Sequence, residues 1–124
     1  LHPKPTVLIL NSGLWNGEPN ETFAKTLRDF GTHVAPRVIW KTTTKIRTAG
    51  NSKWLKTDLK ARRVFNEIFD AAFLTRNLKE SDYWDLRHFQ PHVYNKLNAA
   101  LLKQLYGETI KCISFRNGNC VKSI

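Results

Sequence analysis

The sequence predicts an α/β domain: part of a three-layer α/β/α sandwich with parallel strands, followed by a C-terminal β-hairpin. Three observations lead to this prediction. Residues 6–11 form an apolar run rich in branched side chains, which is typical of a strand buried on both faces in a parallel sheet. Strand-like and helix-like segments then alternate, as they do in crossover units. An Asn-Gly pair near the C-terminus lies between two short strand-like runs, which is a strong hairpin signal.

The first half of the chain predicts a strand, a helix and a second strand. Residues 12–17 are rich in turn formers, and residues 19–21 (Pro-Asn-Glu) are typical of a helix start. The helix that follows has apolar residues at helical spacing, and Gly31 predicts its C-terminal end. Residues 34–40 predict the second strand, and the polar stretch 42–53 predicts a loop.

The second half predicts two more helices before the hairpin. Residues 57–72 have one apolar face and predict a helix, whereas residues 73–90 predict an irregular segment. Pro91 suits the first position of the last helix, and Gly107 suits its end. The hairpin is predicted over residues 109–124.

The predicted sheet is small, because only two parallel strands are visible. Such a sheet leaves the first strand with an unpaired edge. We therefore expect a single partial domain over residues 1–124, with its core in residues 5–106 and its N-terminal strands missing. A sequence that opens with Leu1 just before a strand, and contains no Met, is typical of a processed or truncated piece.

The composition indicates a folded, strongly basic domain. Hydrophobic residues make up 41% of the chain, which excludes general disorder. No apolar run approaches the ~18 residues that a bilayer span requires. The 20 Lys and Arg residues exceed the 10 acidic ones and give a net charge of +10, which favours polyanions. The basic residues are scattered, so we expect neither a specific nucleic-acid partner nor a membrane span.

The segment with the clearest chemistry holds Asp85 and His88, three residues apart in a predicted loop before a helix. At this spacing the carboxylate can accept a hydrogen bond from one imidazole nitrogen. The other nitrogen is then free to act as a base in a fixed tautomer. An isolated Asp-x-x-His string is common, and an ordinary polar loop is the alternative interpretation.

A second candidate segment follows the first strand and contains Asn11, Gly13 and Asn16. In open parallel sheets, ligands bind beyond the carboxyl ends of the strands. A Gly amide and an Asn side chain could donate hydrogen bonds there to a developing oxyanion. The alternative is a Gly- and Asn-rich turn with a core Trp at position 15.

Taken together, these segments resemble the SGNH (GDSL-like) hydrolases, and look closest to the branch that includes PC-esterase and the plant trichome-birefringence-like proteins. The resemblance covers about residues 5–106. It is carried by residues 7–15, by residues 38–44 (Val-Ile-Trp-Lys-Thr-Thr-Thr), and by residues 85–89 (Asp-Leu-Arg-His-Phe) running into Tyr94, Leu97 and Asn98. The Asp-x-x-His block before a Pro-started helix is its most specific part.

The resemblance implies a reaction and a set of roles. In this family a Ser in a Gly-Asp-Ser motif attacks an acyl group, and a His and an Asp complete the triad. Carried over to this chain, His88 would be the general base and Asp85 would orient it. Asn11 or Asn16 would complete the oxyanion hole beside Gly13. The sequence contains no Gly-Asp-Ser, so the resemblance implies that the nucleophile is absent from this chain.

Three function hypotheses follow. The first is the C-terminal part of an ester hydrolase or O-acyltransferase, acting on an acylated small molecule or glycan and completed by an N-terminal segment of the same domain. The second is a non-catalytic relative, either a degenerate domain or a carbohydrate-binding module; Ser12 lies in the oxyanion block and is a poor nucleophile candidate. Tryptophans could stack on sugar rings, although large aromatic residues more often belong to the core; they are Trp15, Trp40, Trp54 and Trp84. The third is a basic nucleic-acid-binding protein.

The cysteines and one glycosylation sequon bear on the compartment. Cys112 and Cys120 flank the predicted hairpin and can lie close enough for a disulfide. That disulfide and the sequon at Asn20 fit the secretory pathway, either the Golgi or the extracellular space. Two reduced thiols and an unused sequon fit the sequence as well. Histidines His88 and His92 lack the intervening Glu of the usual zinc motif, so we expect no metal and no cofactor.

Overall fold

The fold contains a small parallel sheet, helices and a separate two-stranded sheet. The computed structural model describes residues 3–12, 21–47, 52–107, 112–116 and 119–122, without the side chains of 52–55 and 112–122. The strands are β1 (Val7–Leu10), β2 (Arg37–Lys41), β3 (Ile68–Phe69), β4 (Cys112–Arg116) and β5 (Asn119–Lys122). The helices are α1 (Glu21–Val34), α2 (Ser52–Val64), α3 (Ala71–Thr75) and α4 (Pro91–Tyr106), with a 3-10 turn at Glu80–Asp82. The predicted α/β class is confirmed.

The parallel sheet has the order β1-β2-β3. Leu10 of β1 lies opposite Trp40 of β2, and Lys41 lies opposite Phe69 of β3. All three strands therefore end at the same edge of the sheet, which we call the carboxyl edge. Because ligands of open parallel sheets bind beyond this edge, it is the first place to look for a site.

The third strand corrects a prediction, because residues 57–72 were expected to form one helix. The structure ends α2 at Val64 and forms β3 after a short connection. The backbone N–H of Trp40 donates to the Glu67 carbonyl at 3.0 Å, and that of Thr42 donates to the Phe69 carbonyl at 3.0 Å. A helix that continued through residue 72 would leave these two N–H groups without those partners.

Gly31 was predicted to end α1, and this prediction is wrong. The helix continues to Val34, and β2 begins only at Arg37. Gly31 is buried, and a Cβ atom placed on it would lie 2.9 Å from Cγ1 of Val38. The missing side chain therefore lets α1 approach the sheet closely.

Two core clusters form around the sheet. One contains Trp40 with residues of α1 and α2, and its buried members are Ala24, Trp40, Ala61, Val64 and Phe65. The other contains Ile39 with residues of α3, α4 and the segment between them; its buried members are Ile39, Phe69, Ala71, Tyr83, Phe89, Val93 and Leu97. Adjacent β2 residues enter different clusters because side chains alternate along a strand.

Strand β1 was predicted to be buried on both faces, but the structure leaves it partly open. Ile9 is exposed to 37%, and the other three residues of β1 are half-buried. Among the described residues, β1 pairs with β2 alone. An edge position explains the exposure, because one side of the strand has no neighbour.

Both predicted ends of α4 are confirmed. Pro91 occupies its first turn, and Gly107 follows it in the left-handed conformation with φ 67°. At the same end of the helix, the Arg37 guanidinium donates to the carbonyls of Gln104 and Leu105 and to the carboxylate of Glu67. This arginine therefore fixes the C-terminal end of α4 at the start of β2.

The C-terminal hairpin is present as β4 and β5. Phe115 lies opposite Cys120, and Cys112 lies opposite Lys122, with a register shift between Cys112 and Ser114. The two cysteines are therefore not direct cross-strand partners. Their side chains lie outside the described residues, so the disulfide stays a prediction.

Gly31 provides a test of the packing between α1 and the sheet. We expect Gly31→Ala to lower the free energy of unfolding by about 1 kcal/mol, because the new methyl group forces stiff Val38 to shift. Urea unfolding measures the change. In a Val38→Ala background the same substitution should become neutral or stabilising, since space is then available. Equal destabilisation in both backgrounds would contradict the contact as its cause.

Candidate active site

The loop between the 3-10 turn and α4 is held at both ends by buried aromatic residues. Tyr83 and Phe89 form an isolated antiparallel bridge, each is 5% exposed, and their ring centroids lie 5.2 Å apart. The Phe89 N–H also donates to the Tyr94 hydroxyl at 3.1 Å. The five residues between the two anchors, 84–88, are all exposed. We call residues 83–89 the dyad loop.

Asp85 and His88 are hydrogen-bonded within this loop. Nδ1 of His88 lies 2.7 Å from Oδ2 of Asp85. The other carboxylate oxygen, Oδ1, accepts the backbone N–H groups of Arg87 at 2.8 Å and His88 at 2.7 Å. The Trp84 N–H donates to the His88 carbonyl at 2.8 Å and closes the loop. The carboxylate is thus held by the backbone and in turn holds the imidazole.

These contacts set the charge state of Asp85. The N–H groups of Arg87 and His88, followed by the His88 ring, lower the pKa of Asp85 to about 2. The carboxylate is therefore ionised at all ordinary pH values. The His88 side chain is 68% exposed, and no hydrogen bond to its Nε2 occurs among the described residues. This arrangement leaves the second ring nitrogen of His88 accessible to a group that approaches the loop.

The segment after β2, residues 42–47, supports the dyad loop. The Tyr83 hydroxyl donates to the Lys45 carbonyl at 3.0 Å, and the Arg47 N–H donates to the Leu86 carbonyl at 3.2 Å. The Lys45 N–H donates to Oγ1 of Thr75 in α3 at 3.1 Å. The dyad loop is therefore attached to the chain that leaves the carboxyl edge.

Asp58 of α2 fixes the start of this segment. Its carboxylate accepts the indole N–H of Trp40 at 3.1 Å and the backbone N–H of Thr43 at 3.0 Å. Asp58 is 4% exposed, and this burial raises its pKa despite the two donors. A buried carboxylate with both oxygens bonded restricts the backbone at Thr43.

Asp70, which follows β3, fixes the first residue of the segment, Thr42. It accepts the Thr42 hydroxyl at 3.0 Å and forms an ion pair with Arg62. Its burial opposes ionisation, but the hydrogen bonds from Arg62, Phe73 and Thr42 outweigh that effect and lower the pKa of Asp70. Asp58 and Asp70 together connect α2, β2 and β3 at the carboxyl edge.

Asn11 also lies at the carboxyl edge, directly after β1. Its amide Nδ2 donates to the Lys41 carbonyl at 2.7 Å and contacts Oγ1 of Thr43 at 3.4 Å. The structure therefore brings Asn11 to one end of residues 42–47 and the dyad loop to the other end. In this arrangement Asn11 ties β1 to β2, and its role in an oxyanion hole stays a prediction.

The remaining predicted residues of this region are placed as follows. Gly13, Asn16 and the sequon at Asn20 lie outside the described residues, as does Trp15. Ser12 is 9% exposed, and its Oγ has no hydrogen-bond partner among the described residues. A hydroxyl enclosed in this way is not open to a substrate.

Sequence reasoning missed a second Asp–His pair. Nε2 of His92, in the first turn of α4, lies 2.7 Å from Oδ1 of Asp82, and the Lys79 N–H donates to the other oxygen of that carboxylate. Both contacts lower the pKa of Asp82. The pair borders a recess of about 330 Å³ that also contacts Arg76 and Lys96. Asp82 and His92 are 10 residues apart, and no short sequence pattern marks the pair.

The described residues contain neither a cluster of metal ligands nor a helix that could span a membrane. No group of three or more His, Cys, Asp or Glu side chains in the described part of the chain is arranged to hold a metal ion. His88 and His92 each bond to their own aspartate and do not form a pair. Among the described residues, no helix combines the length and apolar character that a membrane crossing requires.

Comparison with known proteins does not assign the chain. No protein-family model matches its sequence, and no curated protein matches it at a significant level.

We expect the carboxyl group of Asp85 to titrate near pH 2, measured by NMR through its Cγ chemical shift. Its folded pKa lies below the usual value, so its stabilising contacts are complete above pH 4 and are lost as the pH falls toward 2. In a His88→Ala variant the value should stay below 3.8, because the two backbone donors are the larger causes. An ordinary pKa in that variant would show that the imidazole dominates instead.

We expect Asp58→Asn to lower the free energy of unfolding by about 2 kcal/mol, because the amide of asparagine has a single oxygen acceptor. Either the Trp40 indole N–H or the Thr43 backbone N–H would then face an amide N–H group. Chemical denaturation measures this loss. Asp29→Asn is the matched control, since the Asp29 side chain is 64% exposed in its ion pair with Arg28. Equal effects of the two substitutions would contradict the proposed role of burial.

Proposed function

We propose that this chain is the C-terminal part of an SGNH-type ester hydrolase or O-acyltransferase that acts on an acylated glycan. The observation that carries the proposal is the Asp85–His88 hydrogen bond of 2.7 Å, with the other ring nitrogen facing outward from an exposed loop. Further support comes from residues 42–47, which connect that loop to Asn11 at the carboxyl edge.

The proposed mechanism gives each group one role. A serine hydroxyl supplied by another part of the protein attacks the acyl carbon, and its proton moves to Nε2 of His88. Asp85 keeps the proton on Nδ1 and stabilises the imidazolium that forms. His88 then returns its proton to the leaving alcohol of the glycan. The acyl-enzyme passes its acyl group to water in a hydrolase or to a second hydroxyl in a transferase.

We extend the proposal to the fold. The two core clusters, one with α1 and α2 and one with α3 and α4, support a three-layer α/β/α sandwich. The unpaired edge of β1 would then receive a further parallel strand from the same domain. The carboxyl end of such a strand would lie beside Asn11, where a nucleophile is needed.

The first test compares two histidines in the full-length protein. We expect His88→Ala to lower kcat for an acetylated oligosaccharide about 1000-fold, because the general base is lost. His92→Ala is the matched control, since its Nε2 already bonds to Asp82 and leaves only the nitrogen nearest its own backbone. It should retain most of the activity, with folding of both variants checked by circular dichroism. Loss of activity in His92→Ala alone would transfer the role to the Asp82–His92 pair.

The second test concerns the nucleophile. We expect the parent reading frame to contain a Gly-Asp-Ser motif upstream of residue 1, at the end of a predicted strand. Replacing that serine by Ala should abolish formation of a covalent adduct with a fluorophosphonate, detected by mass spectrometry. A reading frame without the motif, or labelling that survives the substitution, would reject the proposed mechanism.

A further inference from the structure

Trp84 is the most exposed large apolar side chain in the described part of the protein, at 73%. Leu86, two residues further along the dyad loop, is 50% exposed. These two exposed apolar side chains flank Asp85 in the sequence, and we call them the apolar patch. Trp40, in contrast, is 1% exposed and belongs to the core. Of the two tryptophans whose side chains are described, only Trp84 is open to a ligand.

The patch lies on a fixed backbone. The Trp84 N–H donates to the His88 carbonyl at 2.8 Å, and its neighbour Tyr83 is buried and bonded to Lys45. An aromatic ring with few rotatable bonds on a constrained backbone loses little entropy when it binds. The apolar face of a sugar ring is a suitable partner, because it stacks on an indole while its hydroxyl groups stay in water.

Two cations lie next to the patch. Arg87 belongs to the loop itself, and the Arg47 backbone bonds to Leu86; both side chains are exposed. Asp85 and Asp82, the carboxylates closest to the patch in the sequence, are each bonded to a histidine and to backbone N–H groups. Asp85 keeps its negative charge beside the patch, but the two exposed arginines and the net charge of +10 favour an anionic ligand.

We propose that Trp84 stacks on a sugar ring of the substrate and that Arg47 and Arg87 select a glycan carrying carboxylate groups. This inference rests on the proposed function, because stacking on Trp84 would hold the sugar ring so that the acyl group it carries reaches His88. Trp84 is then a substrate-binding residue that positions the ester, and it takes no part in proton transfer.

The test uses the full-length protein and two esters, an acetylated oligogalacturonide and ethyl acetate. We expect Trp84→Ala to raise KM for the oligogalacturonide five- to tenfold with little change in kcat, and to raise KM for ethyl acetate, which has no sugar ring, much less. Trp84→Phe should restore most of the affinity. Tyr106→Ala is the matched control, because Tyr106 is also an exposed aromatic residue, at 67%. It lies at the C-terminal end of α4, which Arg37 binds at the start of β2.

Calorimetry with unacetylated oligosaccharides separates this inference from the proposed function. Wild-type protein should bind an oligogalacturonide more tightly than a neutral xylo-oligosaccharide of equal length, and Arg47→Gln with Arg87→Gln should remove the preference. Equal affinities, or an unchanged KM and affinity in Trp84→Ala, would overturn the inference while leaving esterase activity intact. If neither ester is turned over, the proposed function fails, and Trp84-dependent binding in the calorimeter still supports the sugar contact.

Discussion

The buried carboxylate of Asp58 is the interaction on which the candidate site depends. It accepts hydrogen bonds from the Trp40 indole and from the Thr43 backbone, and so joins α2 to the end of β2. Thr43 is the second residue of the segment 42–47, which contacts Asn11 at one end and the dyad loop at the other. A carboxylate this deeply buried is stable only while both donors are present, because an unpaired buried charge is strongly unfavourable. The backbone at the start of residues 42–47 is therefore restricted by a contact within the core.

Asp58 and Asp85 show how one residue type serves opposite purposes. Burial raises the pKa of Asp58, whereas local N–H donors lower that of Asp85 to about 2. Asp58 joins α2 to the end of β2, and its buried environment opposes ionisation. Asp85 is half-exposed, so water also stabilises its negative charge, and the carboxylate can hold the His88 imidazole in one orientation. A base that must accept a proton needs such a permanently ionised neighbour.

Local features of the site and fold could be predicted from the sequence, and distant ones could not. Asp85 and His88 are three residues apart, and Pro91 and Gly107 mark helix ends by their backbone geometry, so short strings sufficed. The apolar residues in 57–72 have helical spacing, so the sequence predicted a helix where β3 forms. That spacing carries no information about the free edge of β2, with which β3 pairs. The Asp58–Thr43 bond joins residues 15 apart, and no local pattern marks it. The contact between Arg37 and Glu67 joins residues 30 apart, and no local pattern marks it either.

The exposure of the dyad and the exposure of β1 have one common explanation under the proposed function. A general base works best when water is excluded, yet the His88 side chain is 68% exposed. Among the described residues, β1 also lacks a neighbour on one side. A parallel strand added there would end at the carboxyl edge next to Asn11. Under the proposed function, this single additional element would pair the open strand and supply the nucleophile, and the loop after it would cover the imidazole.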